Sequence, residues 1–264
     1  MYDSHMHSSL SFDSIMSMEE ACEQAFENNL QGVCFTEHLD LDQANGEDNL
    51  PDYQESIRQV KELQKKWRGQ LEICRGVEVG LQLHLAERNK IALAGSQADL
   101  IIGSIHDIDG FDLYRQEYSR GKTREETYRA YLQRLYELVK TNDYFHILGH
   151  LDVITRDASF EDRNITMAEF GDEIDAILKV IISQNRGIEI NTSGWKYGLS
   201  QPHPSLEVVK RYKELGGDVI TCGSDAHRVQ TVGYKLAEAY AYLREAGFKY
   251  VSFFKQGKEE KKPL

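Results

Sequence analysis

The segment Asp218-Val219-Ile220-Thr221-Cys222-Gly223-Ser224-Asp225-Ala226-His227 carries the reading that decides the fold. Its first half, Asp218–Cys222, is apolar and β-branched, as a buried strand requires. Its second half turns abruptly polar and offers a carboxylate and an imidazole, Asp225 and His227, just where the strand runs out. Helical periodicity flanks it on both sides, over Leu206–Leu215 and Val232–Glu245. A buried strand between two amphipathic helices is one step of a parallel β/α fold.

The same step recurs along the chain. Strands are expected at Tyr2–His7, Gly32–Phe35, Leu71–Val79, Asp99–Ile105, Phe145–Leu148 and Gly187–Asn191. Helices are expected from Ser17, over Asp52–Trp67, over Leu83–Leu93, over Thr123–Lys140 and from Thr166 to Gln184. Ser17 with Glu20, and Thr123 with Glu126, have the spacing of capping boxes. Tyr250–Phe254 reads as an eighth short strand, and the charged tail from Gly257 to Lys262 as frayed. About seven strand–helix units follow one another with no linker rich in Pro, Gly or Ser. Both a doubly wound open sheet and a closed barrel fit this rhythm, and spacing alone does not choose between them.

The polar residues fall at strand ends in every unit. His5 and His7 end the first strand, His38 the second (Thr36-Glu37-His38), and Glu78 the third (Gly76-Val77-Glu78). His106 ends the fourth (Gly103-Ser104-Ile105-His106), His150 the fifth (Leu148-Gly149-His150) and Asn191 the sixth. In a parallel barrel all these ends open on one face, where active sites of that architecture lie. One histidine at a strand end is usually a structural residue; five such ends, with a carboxylate at a sixth, point to a metal site. His84, His146 and His203 break the rule and read as structural or exposed. Imidazole and carboxylate ligands without thiolate suit Zn, Mn or Fe. Their number is enough for two or three ions, and Glu78 is suited to bridging two of them.

Taken together, Asp3-Ser4-His5-Met6-His7, Thr36-Glu37-His38, Glu78, Ser104-Ile105-His106, Gly149-His150 and Ser224-Asp225-Ala226-His227 resemble the motifs of the PHP (polymerase and histidinol phosphatase) family, in the family's order and across most of the chain. The length and surrounding segments are most similar to its stand-alone histidinol-phosphatase branch. The resemblance implies a single-domain distorted (β/α)7 barrel over residues 1–264, with three divalent metal ions at the C-terminal ends of the strands. It implies that His5, His7, Glu78 and Asp225 hold the first ion, that Glu78, His106 and His150 hold the second, and that Asp13, His38 and His227 hold the third. Some members carry His where this chain has Asp13, so the third site departs from the pattern. The implied reaction is hydrolysis of L-histidinol phosphate by metal-activated water, as a step of histidine biosynthesis. A metal-bound water, Asp225 and His227 are all candidates to deliver the proton to the leaving group. Other phosphoesters, such as a nucleotide, and a non-catalytic metal-binding barrel are the competing readings.

Arg156, six residues after His150, is the candidate phosphate clamp, with Arg115 and Lys196 as further candidates on the same face. The stretch Asp107–Lys122 is long for a βα loop and carries Phe111, Tyr114, Arg115 and Tyr118. It reads either as a cover over the site or as an ordinary insertion.

Composition sets the outer limits. The chain has 264 residues, 31 basic against 43 acidic, a net charge of −12. That charge argues against nucleic acid and anionic membranes as partners; a small phosphorylated substrate is what the resemblance implies. Aromatics at 10% and only four prolines argue against disorder. No apolar run approaches the roughly 18 residues of a membrane helix, and the first residues lack the features of a leader. Cys22, Cys34, Cys74 and Cys222 are far apart and read as buried thiols of a cytoplasmic protein. The oligomeric state is not legible.

Overall fold

The computed structural model describes residues 1–264. Seven strands form one parallel sheet: β1 (Tyr2–Met6), β2 (Gly32–Leu39), β3 (Glu72–Gly80), β4 (Leu100–Ser104), β7 (Ile147–Leu148), β8 (Gly187–Asn191) and β9 (Ile220–Gly223), in that spatial order. Between β4 and β7 lies a small antiparallel hairpin, β5 (Asp107–Ile108) and β6 (Phe111–Asp112). Every residue of β2, and all of β3 after Glu72, is buried. That is the expectation for parallel strands covered on both faces.

The two edges of the sheet meet, so the sheet is nearly closed into the expected barrel. Asp225 N donates to His5 O at 2.8 Å, and His7 N donates to Ala226 O at 2.8 Å. Asp3 reinforces the closure from β1, its carboxylate accepting from Ser224 N (2.8 Å) and Gly233 N (2.9 Å). The approach is tight enough to need a glycine, since a Cβ on Gly223 would lie 2.3 Å from His5 Cβ. Closure thus brings the first and last ligand segments of the chain side by side.

The helices surround the sheet: α1 (Met18–Glu27), α2 (Tyr53–Lys66), α3 (Ala86–Leu93), α4 (Arg124–Thr141), α5 (Met167–Ser183), the one-turn α6 (Ser193–Lys196), α7 (Leu206–Glu214) and α8 (Leu236–Glu245). On α4 the buried Tyr128, Tyr131, Leu132, Leu135 and Leu138 form one helical stripe. Both capping boxes are present, Ser17 with Glu20 and Thr123 with Glu126. No helix is long and apolar enough to cross a membrane. All four cysteines are buried and unpaired.

Several boundaries differ from the sequence reading; β2, for one, runs on past Phe35 to Leu39. The expected helix from Val232 begins only at Leu236, because Gly233 and Lys235 take left-handed backbone angles (φ 71° and 49°). The expected helix from Leu83 opens as a 3₁₀ turn before α3. The tail is not frayed: β10 (Tyr250–Lys255) pairs antiparallel with β11 (Lys258–Pro263), outside the barrel. The charges that suggested fraying are paired across the fold. Lys262 and Lys255 both meet Glu72, and Lys261 meets Asp218. Ser252 Oγ also accepts from Ile220 N at 3.1 Å. Glu72 and Ile220 are the first residues of β3 and β9, so the hairpin sits at the end of the barrel opposite the strand C-termini.

Candidate metal centre

The register of the sheet sets the ligands next to one another. His38 on β2 is paired with Glu78 on β3, and its Nδ1 lies 3.2 Å from Glu78 Oε2. His5 and His7 point the same way because strand side chains alternate. Asp225 follows β9 in a left-handed conformation (φ 53°), a state that Asp tolerates better than most residues. That turn aims its carboxylate back over β1.

Three groups of ligand atoms result. In the first, His5 Nε2 and His7 Nε2 face each other at 3.1 Å. They lie 3.2 and 3.3 Å from Glu78 Oε2, and 3.8 and 3.4 Å from Asp225 Oδ1. In the second, the other oxygen, Glu78 Oε1, lies 2.8 Å from His150 Nε2 and 3.3 Å from His106 Nε2. In the third, Asp13 Oδ2 lies 3.1 Å from His227 Nε2 and 3.5 Å from His38 Nε2. Every ligand expected from the sequence is therefore in one cluster, with Glu78 between the first two groups. Asp13 is the outlier in burial, its side chain 38% exposed on a loop.

The donor set fits divalent metal ions. Ligand atoms about 2.0–2.2 Å from one ion stand roughly 3.3–3.6 Å apart at tetrahedral angles, and the first group's distances, from 3.1 to 3.8 Å, bracket that spacing. Four of the six imidazoles are also held in place from behind. His5 Nδ1 is 2.7 Å from Glu189 Oε1, His106 Nδ1 is 2.8 Å from Asp40 Oδ1, and His227 Nδ1 is 3.0 Å from the Asp225 carbonyl. His7 Nδ1 is 3.3 Å from Ser11 Oγ, which donates to Glu37.

Electrostatics divide the cluster: the neighbouring carboxylates raise His5 and His106 against their burial. Burial would push Glu78 up, but the imidazoles of His5, His106 and His150 hold it well below the usual carboxylate range. Asp225 is likewise held far down against its burial by His5, His7, His227 and Lys196. Burial lowers His7 and His150, keeping them in the neutral form that ligates.

Three buried carboxylates were not singled out by the sequence reading. Asp40 lies two residues after His38, Glu189 two before Asn191, and Glu37 directly before His38. Period-two alternation from the neighbouring site residue points to Asp40 and Glu189. Glu189 also accepts from His150 N (3.1 Å) and from Asn191 Nδ2 (3.1 Å), so one side chain supports ligands of two groups. Glu37 accepts from the Ser8 hydroxyl and main chain and from Ser11, which fixes the loop leading to Asp13.

The centre forms one end of a cavity of about 630 Å³. Arg156 lies in its wall, nearly buried, with its guanidinium 4.3 Å from the Tyr114 ring and 4.5 Å from the Tyr197 ring. Its Nη1 is 3.7 Å from Asp225 Oδ2. Lys196, on α6, also lines the cavity and donates to the Asp225 carbonyl at 3.1 Å. Arg115 reaches the rim, but it is two-thirds exposed and paired with Asp112 at 3.0 Å. Of the long loop, Tyr114 enters the site, whereas Tyr118 packs away from it under Lys122. The three histidines set aside are apart from the cluster: His84 meets Asp42, His146 accepts from Ile101 N, and His203 is buried against Asp152.

Comparison with known proteins agrees with this geometry. The PHP domain family matches residues 3–193. A protein named probable histidinol-phosphatase from Clostridium acetobutylicum is 32% identical over 97% of this chain and 98% of its own length. The histidinol-phosphatase of Lactococcus lactis subsp. lactis is 28% identical over 98% of this chain and 96% of its own. Among solved structures, histidinol phosphate phosphatase from the same bacterium, complexed with zinc, L-histidinol and phosphate, superimposes with a TM-score of 0.89 at 26% identity, covering 98% of both chains.

Proposed function

We propose, from the premise that this chain belongs to the PHP domain family, that residues 1–264 work as one unit, a metal-dependent histidinol-phosphatase converting L-histidinol phosphate and water to L-histidinol and phosphate. The observation that carries the reading is Glu78, shared between two imidazole groups, with the buried Arg156 across the cavity. Likeness over the full length of the histidinol-phosphatases supports the substrate.

His5, His7, Glu78 and Asp225 would hold one ion, Glu78, His106 and His150 a second, and Asp13, His38 and His227 a third, with zinc the leading choice. Bound there, the ions would lower the pKa of water towards 7 and offset the charge of the phosphoryl group. Arg156, permanently cationic and desolvated, binds the phosphate oxygens. Lys196 adds a second positive charge beside Asp225, and Arg115 serves the rim. Asp225 handles the proton: its Oδ1 faces the imidazoles, while Oδ2 faces Arg156 and the cavity. A carboxylate held this far down is a weak base, so it would take a proton only from a water that bound ions had acidified, and would readily pass it on to the leaving alkoxide. His227 is less suited, because its two nitrogens face Asp13 and the Asp225 carbonyl. Asp107, Asp112 and Asp157 on the cavity wall suit the amine and imidazole of the substrate.

A panel of small phosphoesters that includes mononucleotides tests the substrate. L-Histidinol phosphate is expected to have the highest kcat/KM. A nucleotide turned over faster would replace that substrate.

A further inference from the structure

Arg163 is a half-buried cation with an unusual use of its charge. No carboxylate pairs with it; its guanidinium donates to two main-chain carbonyls, Arg156 O at 2.8 Å and Gly198 O at 3.3 Å. These carbonyls belong to different loops. One loop runs from His150 to Arg156; the other, 192–204, carries Lys196 and Tyr197. Arg163 is itself anchored, because Tyr128 on α4 donates its hydroxyl to Arg163 O at 3.0 Å.

A second tie joins the same two loops deeper in the fold. His203 Nδ1 lies 2.6 Å from Asp152 Oδ1, with both side chains buried. His203 is fixed to β8 by paired main-chain bonds with Asn191 (2.7 and 2.8 Å). Asp152 O accepts from both the main chain and the hydroxyl of Thr155, at 2.9 Å each, which shapes the turn leading into Arg156. The base of the two-loop unit is therefore fixed by Asp152–His203, and its rim by Arg163 alone. Between the ties sits the Arg156 guanidinium against the Tyr197 ring.

We infer that Arg163 is a positioning residue for the phosphate clamp: it holds the Arg156 loop to the Tyr197 loop, so that the guanidinium is aimed before substrate arrives. The inference rests on the reading that Arg156 binds the phosphate. Pre-organisation of this kind contributes to binding of any ligand that carries the phosphate, substrate or product alike.

The test compares Arg163→Ala, Arg163→Lys and Arg156→Ala in the metal-loaded enzyme. It measures KM and kcat for L-histidinol phosphate, the inhibition constant of inorganic phosphate, metal content and Tm. Arg163→Ala is expected to raise KM and the phosphate inhibition constant together, by about 5–10-fold, the size of one ordinary hydrogen bond, because the clamp is misaimed and not removed. Metal content and kcat should stay near those of the parent. Arg163→Lys should recover part of the loss, since an ammonium also donates to carbonyls but lacks the planar fork. Unchanged constants in Arg163→Ala, with both raised in Arg156→Ala, would overturn the inference and spare the reading beneath it. Loss of kcat, metal and Tm together in Arg163→Ala would also overturn it, as a merely structural role. Unchanged constants in Arg156→Ala would remove the underlying reading itself.

Discussion

Glu78→Gln is expected to lose bound metal and phosphatase activity together, with kcat falling on the order of 10²–10³-fold, the scale of removing a central electrostatic group from an active site. The substitution preserves shape and removes charge. Glu78 places one oxygen 3.2–3.3 Å from His5 and His7 and the other 2.8–3.3 Å from His150 and His106. A carboxylate can serve both groups at once, whereas an amide offers one oxygen and turns a donor towards the other. Elemental analysis of the purified variant gives the metal content. Retention of a full metal complement with normal turnover would remove Glu78 from the bridging position. Tm should fall as well, because ions that bind only the folded state stabilise it, by about 2.7 kcal/mol at one hundred times the dissociation constant.

Arg156→Ala is expected to act on a different quantity. Its guanidinium lies between two tyrosine rings, nearly out of solvent, where a charge-assisted hydrogen bond is strong. Loss of such a contact costs about 1.5–3 kcal/mol, which is roughly 10–150-fold in kcat/KM. The change should fall mainly on KM, with metal content equal to that of the parent enzyme. Arg156→Lys should be intermediate, since an ammonium keeps the charge but loses the planar fork and the stacking on both rings. Normal kinetics in Arg156→Ala would end its role as the phosphate clamp.

These two residues were legible in the sequence for different reasons. Glu78 could be read because strand ends in a parallel β/α fold converge, so ligand-type residues at those ends report a site before any contact is known. Arg156 could be read only as a loop cation close to His150; its burial between Tyr114 and Tyr197 depends on two other loops. Closure of the barrel was not legible from spacing at all. It depends on Gly223 admitting His5 and on Asp3 reaching across to Ser224 and Gly233, contacts more than 200 residues apart in the chain. The supporting carboxylates Asp40 and Glu189 lay within reach of simple alternation from His38 and Asn191. The reading stopped at the strand-end residues and so passed over the layer behind them. The tail misled for a physical reason: a run of charges looks solvated until its partners, Glu72 and Asp218, are brought to it by the fold. The β5–β6 hairpin, with two residues in each strand, is too short to leave a periodic signal.

The histidine and carboxylate cluster is expected to hydrolyse L-histidinol phosphate only when it holds divalent metal. The most direct measurement is phosphate release from L-histidinol phosphate by one protein sample in two states: stripped with a chelator and verified metal-free by elemental analysis, then reloaded with zinc. The predicted result is loss of turnover in the stripped protein and its return with zinc; undiminished hydrolysis by the verified metal-free protein would contradict the claim.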